Sequence, residues 1–402
     1  MKITFVMASG FSLSGGDRVV ATYAQRLQHR GHDVLVISPR RGNPSLQSQI
    51  QSLLQGKGWI TNSLQQGSPS LKSLLRSLLR ADFWISPQRR EPSHFDNLDA
   101  TCRLLDHFRP VTDADVPDAD VVIATWWETA EWVAKLSPSK GAKVYFIQHY
   151  EAFDYLPKER VEATWKLPFH KIVISKWLLE LAQKRFGDDR VSHVPNSVDT
   201  DLFQARPRNK QPVPTVGMLY SNAYWKGCDI SLKAFALAAK QLPNLQLVSF
   251  GEVSSDNANF PENTLYFQHP EQDKIREIYA SCDVWLCGSR SEGFHLPPLE
   301  AMACRCPVVS TEVGGPLDIV KNGSNGYLAP IEDYVALAEK LIQVLTLPEE
   351  KWKEMSDAAY TTAVQYSWDD ATDAFEAALK LACEDSQRDN VAKQVDISAS
   401  PL

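Results

Sequence analysis

The sequence lacks any long hydrophobic run. None of its apolar stretches approaches the roughly 20 residues that an α-helix needs to cross a bilayer. Residues 1–7 are too short for a secretory signal and are typical of a first β-strand. We therefore expect a protein that is soluble or at most peripheral to a membrane.

An excess of positive charge is also missing. Lysine and arginine together number 42, whereas aspartate and glutamate number 49, which gives a formal net charge of -7 at pH 7. A nucleic-acid-binding protein normally carries a basic face. We therefore expect no nucleic acid among its partners.

Cysteine is sparse and odd in number. Of the seven cysteines, Cys304 and Cys306 are too close in sequence to pair comfortably. No second pair of cysteine or histidine residues lies at ligand spacing from them, so a metal site is not expected. Free thiols indicate a reducing compartment, and we expect a cytoplasmic protein.

Short strand patterns alternate with helix patterns along the chain, as is typical of an α/β fold with parallel sheets. A chain of 402 residues exceeds what one hydrophobic core usually serves, so we expect two domains. The polar, proline-broken segment around residues 206–214 is the natural boundary, with residues 1–206 before it and 207–367 after it. Residues 384–402 are polar, lack periodicity and are predicted to be disordered.

The first strand leads into a loop that contains Gly10, Gly15 and Gly16. Their spacing does not match the dinucleotide fingerprint G-x-G-x-x-G, and no Lys-Ser or Lys-Thr follows as a P-loop would require. Two interpretations remain. The glycines permit a tight turn, or Gly15 and Gly16 let a ligand approach the main chain.

Residues 291–303 carry the strongest functional signal. The apolar run 284–287 before them is typical of a buried strand, and Pro297 and Pro298 suit the first turn of a following helix. Three main-chain amides at this helix start are then free to bind an anion. They belong to Phe294, His295 and Leu296.

Two carboxylates lie eight positions apart in this stretch. Glu292 falls in the loop and Glu300 on the helix, so one acid flanks each side of the anion site. Carboxylates accept hydrogen bonds from hydroxyl groups. A phosphate site between two hydroxyl-binding acids is the pattern expected for a nucleotide sugar, although Glu300 could also merely favour the helix N-terminus.

This stretch resembles the E-x7-E signature of the retaining family 4 glycosyltransferases. Further matches occur in the family's order: Val194-Pro195-Asn196, Val216-Gly217-Met218-Leu219, Lys226-Gly227, Pro307-Val308-Val309 and Asn322-Gly323. The resemblance implies the GT-B fold, in which two doubly wound Rossmann-like domains face each other across a cleft. It also implies that residues 368–383 cross back to the first domain.

The resemblance implies roles for individual residues. Glu300 would hold the ribose of the nucleotide, Glu292 the hydroxyls of the donor sugar, and Lys226 the diphosphate. The main-chain amides of residues 294–296, with Gly15 and Gly16, would complete the donor site. As a lone lysine, Lys226 would more often be a surface residue.

The sequence departs from the family at two places near the donor. Met218 stands where an arginine usually follows the glycine, which puts one phosphate contact in question. His295 stands where glycine is customary. Its side chain would narrow the phosphate loop or add a donor to the leaving group.

The first half supplies candidates for the acceptor side. His149 follows a strand where family members carry a histidine that faces the donor sugar and the acceptor, although a lone histidine there is often structural. Trp126, Trp127 and Glu128 end the neighbouring strand, where the rings could stack on a sugar or pack in the core. Lys72, Arg76 and Arg80 line one helical face that could lie on an anionic membrane or simply face solvent.

The sequence therefore predicts a cytoplasmic, metal-independent, retaining glycosyltransferase of the hexosyl or deoxyhexosyl type. Its partners would be a nucleotide sugar and a hydroxyl acceptor that is a glycan, a lipid-linked compound or a small molecule. No cofactor is expected, and the inner membrane face is an expected peripheral contact. The alternatives are a nucleotide-sugar-binding partner of another transferase and a sugar-nucleotide epimerase.

Overall fold

The computed structural model describes residues 1–40, 92–254 and 258–399, with side chains up to residue 389. The basic face of Lys72, Arg76 and Arg80 lies outside these residues. None of the helices in the described ranges is long and apolar enough to cross a membrane. Within the same ranges, no group of three His, Cys, Asp or Glu residues is placed to hold a metal ion.

The first half of the chain forms a parallel sheet. Its described strands are β1 (Lys2–Val6), β2 (Asp33–Ser38), β3 (Thr101–Leu104), β4 (Val121–Ala124), β5 (Ala142–Ile147), β6 (His170–Val173) and β7 (Val191–His193). Their order is β3-β2-β1-β4-β5-β6-β7, and Ile3 of β1 pairs with both Val34 and Val121. The central strands are buried apolar runs because helices cover both faces of a parallel sheet.

In the described part of this half, four α-helices accompany the sheet: α1 (Gly15–His29), α2 (Trp127–Ala134), α3 (Lys158–Trp165) and α4 (Lys176–Glu180). The Ser14 side chain caps α1 by accepting from the main-chain N–H of Asp17. Val20, Tyr23 and Leu27 of α1 are fully buried, so one apolar stripe holds the helix on the sheet. Its first turn is thereby fixed at the carboxyl edge of β1.

The second half repeats the plan. Its strands are β8 (Thr215–Tyr220), β9 (Gln246–Gly251), β10 (Leu265–Gln268), β11 (Val284–Cys287), β12 (Val308–Thr311) and β13 (Gly326–Ala329), in the order β10-β9-β8-β11-β12-β13. Its helices are α5 (Cys228–Gln241), α6 (Gln272–Ala280), α7 (Leu296–Ala303), α8 (Pro316–Ile319), α9 (Tyr334–Leu345) and α10 (Glu349–Ala363). Each pairing in this sheet is parallel.

The last helix, α11 (Trp368–Ala399), returns to the first half. Phe375 lies in a fully buried aromatic cluster with Tyr23 and Phe146 of the first half. The helix does not end at Cys383, and the prediction of disorder from residue 384 is wrong for its next turns. Asp385 lies 3.4 Å from the His170 ring, and Arg190 holds Asp389 over 2.6 Å. Because these contacts are polar, the residues that make them show no apolar periodicity from which the helix could be predicted.

Both sheets reverse their strand order at one point. The reversal lies between β1 and β4 in the first sheet and between β8 and β11 in the second. Ligands of open α/β sheets bind beyond the carboxyl ends of the strands at this point. We therefore expect a functional site at the loops that follow these four strands.

Candidate functional site

The loop between β11 and α7 lies directly against the loop that follows β5. A Cβ atom on Gly293 would lie 1.7 Å from the main-chain oxygen of Gln148, so only glycine fits at this contact. The indole N–H of Trp177 in α4 donates to the main-chain oxygen of Gly293 over 2.9 Å. These contacts bring the carboxyl edges of the two sheets together.

Lys226 and Glu292 form an ion pair at this meeting point. The Lys226 Nζ, at the end of a short 3-10 turn after β8, lies 2.9 and 3.1 Å from the two carboxylate oxygens of Glu292. Glu292 is 6% exposed, and the Ser289 hydroxyl donates to it over 2.9 Å. Burial raises the pKa of Glu292, but the ammonium group of Lys226 and the hydrogen bonds from Lys226 and Ser289 bring it below its usual value. The site holds a buried, charged carboxylate beside an ammonium group.

His295 precedes α7 in the left-handed backbone region, with φ 73°. A non-glycine residue in this region costs on the order of 1 kcal/mol, which explains why glycine is customary at this position. The buried imidazole Nε2 lies 3.6 Å from Glu292, and its Nδ1 has no hydrogen-bond partner among the described residues. Burial lowers the pKa of His295 to about 4, so the ring is neutral with one nitrogen free to bond a ligand.

His149 reaches the same loop from the first half. Its Nδ1 accepts from the main-chain N–H of Glu151 over 3.1 Å, so the proton lies on Nε2, which is 3.1 Å from the Ser291 hydroxyl. The ring stacks on Phe153, with the centroids 4.8 Å apart. Burial lowers the pKa of His149 to about 4, which keeps the imidazole neutral. The structure thus brings the three residues that were predicted to be catalytic, His149, Lys226 and Glu292, together in the cleft.

Glu300 lies one turn inside α7 and is 5% exposed. The guanidinium of Arg18, in the first turn of α1, forms an ion pair with its Oε1. The hydroxyl of the buried Tyr279 donates to its Oε2 over 2.8 Å. Glu300 therefore links the two halves of the chain, a contact that the sequence did not indicate.

Gly15 and Gly16 begin α1. A Cβ atom on Gly15 would meet nothing within 4 Å, and one on Gly16 would lie 3.6 Å from the Gln148 side chain, an ordinary contact. The Gln148 amide donates to the main-chain oxygen of Gly16 over 3.2 Å. Neither glycine has a positive φ, so a tight turn does not require them. The open space beside Gly15 favours the interpretation that a ligand approaches this helix N-terminus.

The two tryptophans after β4 differ in exposure. Trp127 is 3% exposed, and the Arg160 guanidinium lies 4.8 Å above its ring, so the ring packs in the fold and offers no face to a sugar. Trp126 and Glu128 are half-buried. Burial raises the pKa of Glu128, and Arg160 opposes the shift. Of the predicted acceptor residues, Trp126 and Glu128 keep accessible surface.

Several site residues escaped the sequence analysis. Arg18, Tyr279 and Trp177 lack a motif of their own, and their partners lie 282, 21 and 116 positions away in sequence. Two of the missed residues lie close in sequence to predicted site residues, since Arg18 follows Gly15 and Gly16 within one helical turn and Ser289 lies three positions before Glu292. Met218 is 1% exposed in the second sheet, so the position supplies no cation to the cleft.

Two family profiles match the chain and meet near the predicted domain boundary. The profile described as Glycosyltransferase Family 4 matches residues 13–202, and that described as Glycosyl transferases group 1 matches residues 199–362. The chain belongs to the family 4 glycosyltransferases. The family assignment covers both halves of the cleft, including the pair of Lys226 and Glu292.

The curated relatives of this glycosyltransferase chain are matched over part of their length. The D-inositol 3-phosphate glycosyltransferase of Mycolicibacterium paratuberculosis is 29% identical over 48% of this chain and 48% of its own. The N-acetyl-alpha-D-glucosaminyl L-malate synthase of Bacillus anthracis is 38% identical over 22% of this chain and 23% of its own. The matched region thus spans at most about half the length of these two relatives.

Solved structures of low identity share the whole fold. Sucrose-phosphate synthase from Thermosynechococcus elongatus covers 99% of this chain and is itself covered fully, with a TM-score of 0.63 and 14% identity. HepE from Anabaena in complex with UDP and glucose covers 94% of this chain and is covered to 99%, with a TM-score of 0.64 and 16% identity. The fold of the chain is GT-B.

Proposed function

We propose that the chain is a retaining glycosyltransferase that moves a sugar from a nucleotide-sugar donor to a hydroxyl acceptor. The observation that carries the proposal is the ion pair of Lys226 and Glu292 where the carboxyl edges of both sheets meet. Across the same cleft the neutral His149 lies against Ser291. A charged group beside a neutral one suits a reaction in which an anion leaves and a hydroxyl enters.

The donor would lie along the loop from β11 to α7. Glu300 would accept hydrogen bonds from the ribose, and Glu292 from hydroxyls of the donor sugar. The main-chain amides of residues 294–296 begin α7, so the helix dipole would add to their attraction for the diphosphate. In the tautomer that carries the ring proton on Nδ1, His295 would donate one more hydrogen bond to the leaving group.

Lys226 would stabilise the charge that develops on the departing nucleotide diphosphate. While no donor is bound, Glu292 offsets the cost of burying the Lys226 ammonium group. The proposal needs no metal ion and no cofactor. We also propose that the donor sugar is a hexosyl or deoxyhexosyl group, because hydroxyls on the sugar ring can donate hydrogen bonds to the Glu292 carboxylate.

The acceptor would enter from the first half. His149 would orient a hydroxyl through its Nε2 proton, and Trp126 and Glu128 would contact the acceptor from the end of β4. The open space beside Gly15 would let the reacting groups pass close to the main chain of Gly15 and Gly16. A cytoplasmic location and a peripheral membrane contact remain predictions.

The test is an assay of the full chain with a panel of UDP-, GDP-, ADP- and dTDP-linked sugars and mixed hydroxyl acceptors. We expect a glycoside that keeps the anomeric configuration of the donor, as read by NMR, with unchanged yield in excess EDTA. Donor binding without turnover would indicate a partner protein, and a donor isomer formed without acceptor would indicate an epimerase. Activity that EDTA abolishes and a divalent ion restores would contradict the metal-free proposal.

A further inference from the structure

Two ion pairs lie at the cleft, and each contains a carboxylate of the proposed donor site. Lys226 is paired with Glu292, and Arg18 with Glu300. Both carboxylates are less than 10% exposed, whereas the cation side chains are 26% and 27% exposed. Each cation therefore covers the carboxylate on the side from which a ligand would come.

The Arg18 pair conflicts with ribose binding as the structure stands. Of the two side-chain partners that Glu300 has among the described residues, Tyr279 is fully buried and Arg18 is 27% exposed. We therefore expect a ligand hydroxyl to approach Glu300 from the side on which the guanidinium now lies. Displacing a partly buried guanidinium without a new partner would leave an uncompensated charge.

We propose that donor binding exchanges the partners of these ion pairs. On the proposed function, the ribose hydroxyls take the place of Arg18 on Glu300, and the displaced guanidinium binds the diphosphate. Lys226 and Glu292 make the parallel exchange with the diphosphate and the donor sugar. Arg18 is thus a diphosphate-binding residue from the first half of the chain, held on Glu300 until the donor arrives.

The diphosphate supplies the charge that Arg18 would need after the exchange, and it would bind within a short distance of Glu300. A nucleoside diphosphate brings the anion that the displaced guanidinium needs, and arginine binds phosphate oxygens through two parallel hydrogen bonds. Glu300 is the fifth residue of α7, so the first-turn amides that would hold the phosphate lie about 6 Å along the helix from it. Among the described residues, Asp199 is a further anion whose charge acts on Arg18.

The test compares ligands with and without phosphate. Calorimetry on the full chain first selects the tightest binder among UDP, GDP, ADP and dTDP, and its nucleoside is then measured beside it. In Arg18→Met we expect the nucleoside diphosphate to bind at least about tenfold more weakly, because a charge-assisted pair is lost. The nucleoside should bind equally or more tightly, because Glu300 is no longer covered.

Arg26→Met is the matched control, since Arg26 lies on the same helix and pairs with Asp369 over 3.1 Å on the surface. It should leave both ligands unaffected. Arg18→Lys keeps the charge but not the two-pronged geometry, and it should give an intermediate loss if Arg18→Met does not fold. The shift of the melting temperature on ligand binding is an independent readout. In Arg18→Met it should become smaller than in the parent protein for the nucleoside diphosphate and stay equal or become larger for the nucleoside.

An unchanged diphosphate affinity in Arg18→Met would overturn the exchange, as would equal losses for nucleoside and nucleoside diphosphate. Either result would leave the proposed function in place if the parent protein binds a nucleoside diphosphate. Absence of binding by the parent protein to every diphosphate of the panel would overturn the proposed function, and this inference with it.

Discussion

The loop after β11 and the loop after β5 face each other across the cleft, but they keep their acids in opposite charge states. Glu292, after β11, is held charged by Lys226 and by hydrogen bonds that outweigh its burial. Glu151, after β5, is fully buried with no cation paired to it among the described residues, and burial raises its pKa well above the usual range. It accepts from the Trp127 N–H and the Tyr145 hydroxyl instead.

The contrast shows how one cleft can serve two substrates. The second half concentrates charge where an anionic leaving group would form. In the first half His149 and Glu151 are both neutral, so an entering hydroxyl meets an uncharged imidazole at the end of β5. Removing charge should therefore damage the second half far more than the first.

The largest effect is expected for Lys226→Ala. The substitution removes the cation that would stabilise the departing diphosphate and leaves Glu292 buried without its partner. We expect kcat to fall by about 10²- to 10³-fold, with a smaller loss in donor affinity. Lys233→Ala, which removes an exposed lysine of α5, is the control. Equal losses in donor affinity and in kcat would contradict a role in the transition state.

A smaller effect is expected for Glu300→Ala. It is measured as the difference in binding free energy between two ligands. If Glu300 binds the ribose, the parent protein should prefer a nucleoside diphosphate over its 2′,3′-dideoxy analogue by about 1–3 kcal/mol. The variant should lose this preference in calorimetry. Glu312→Gln, at an exposed glutamate, should retain it. A preference that survives in Glu300→Ala would assign the ribose to another residue.

The pH dependence should reveal the neutral histidines. Because burial lowers the pKa of His149 and His295 to about 4, both rings stay neutral above about pH 5. Their folded-state pKa lies below the unfolded value, so their contribution to stability is full above about pH 6.5 and is lost as the pH falls towards 4. The transfer rate should show no decline near pH 6.5. A decline there that disappears in His149→Gln would show that His149 titrates normally.

Much of the donor site could be predicted from sequence because its signals are local. The apolar run 284–287, the following loop and the prolines that begin α7 lie next to one another, so Glu292 and Glu300 were predicted on the correct elements. The strand β3 escaped because its residues are mostly exposed at the sheet edge and show no apolar run.

Contacts between distant segments could not be predicted in this way. Arg18 and Glu300 are 282 residues apart in sequence, and only the packing of α1 beside α7 brings them together. The later turns of α11 are held by a hydrogen bond between Asp385 and His170 and by an ion pair between Asp389 and Arg190, which an apolar pattern cannot indicate. The burial of Trp127 depends on Arg160, from α3.

The same substitution on the two sides of the cleft tests the central claim most directly. Glu292→Gln removes a charge from the ion pair with Lys226, whereas Glu151→Gln replaces a carboxyl group that is already neutral. The measurement is the single-turnover rate of sugar transfer at saturating donor for both variants. We predict a loss of about 100-fold or more in Glu292→Gln and a rate within about threefold of the parent in Glu151→Gln. Equal rates in the two variants, or a larger loss in Glu151→Gln, would contradict the account.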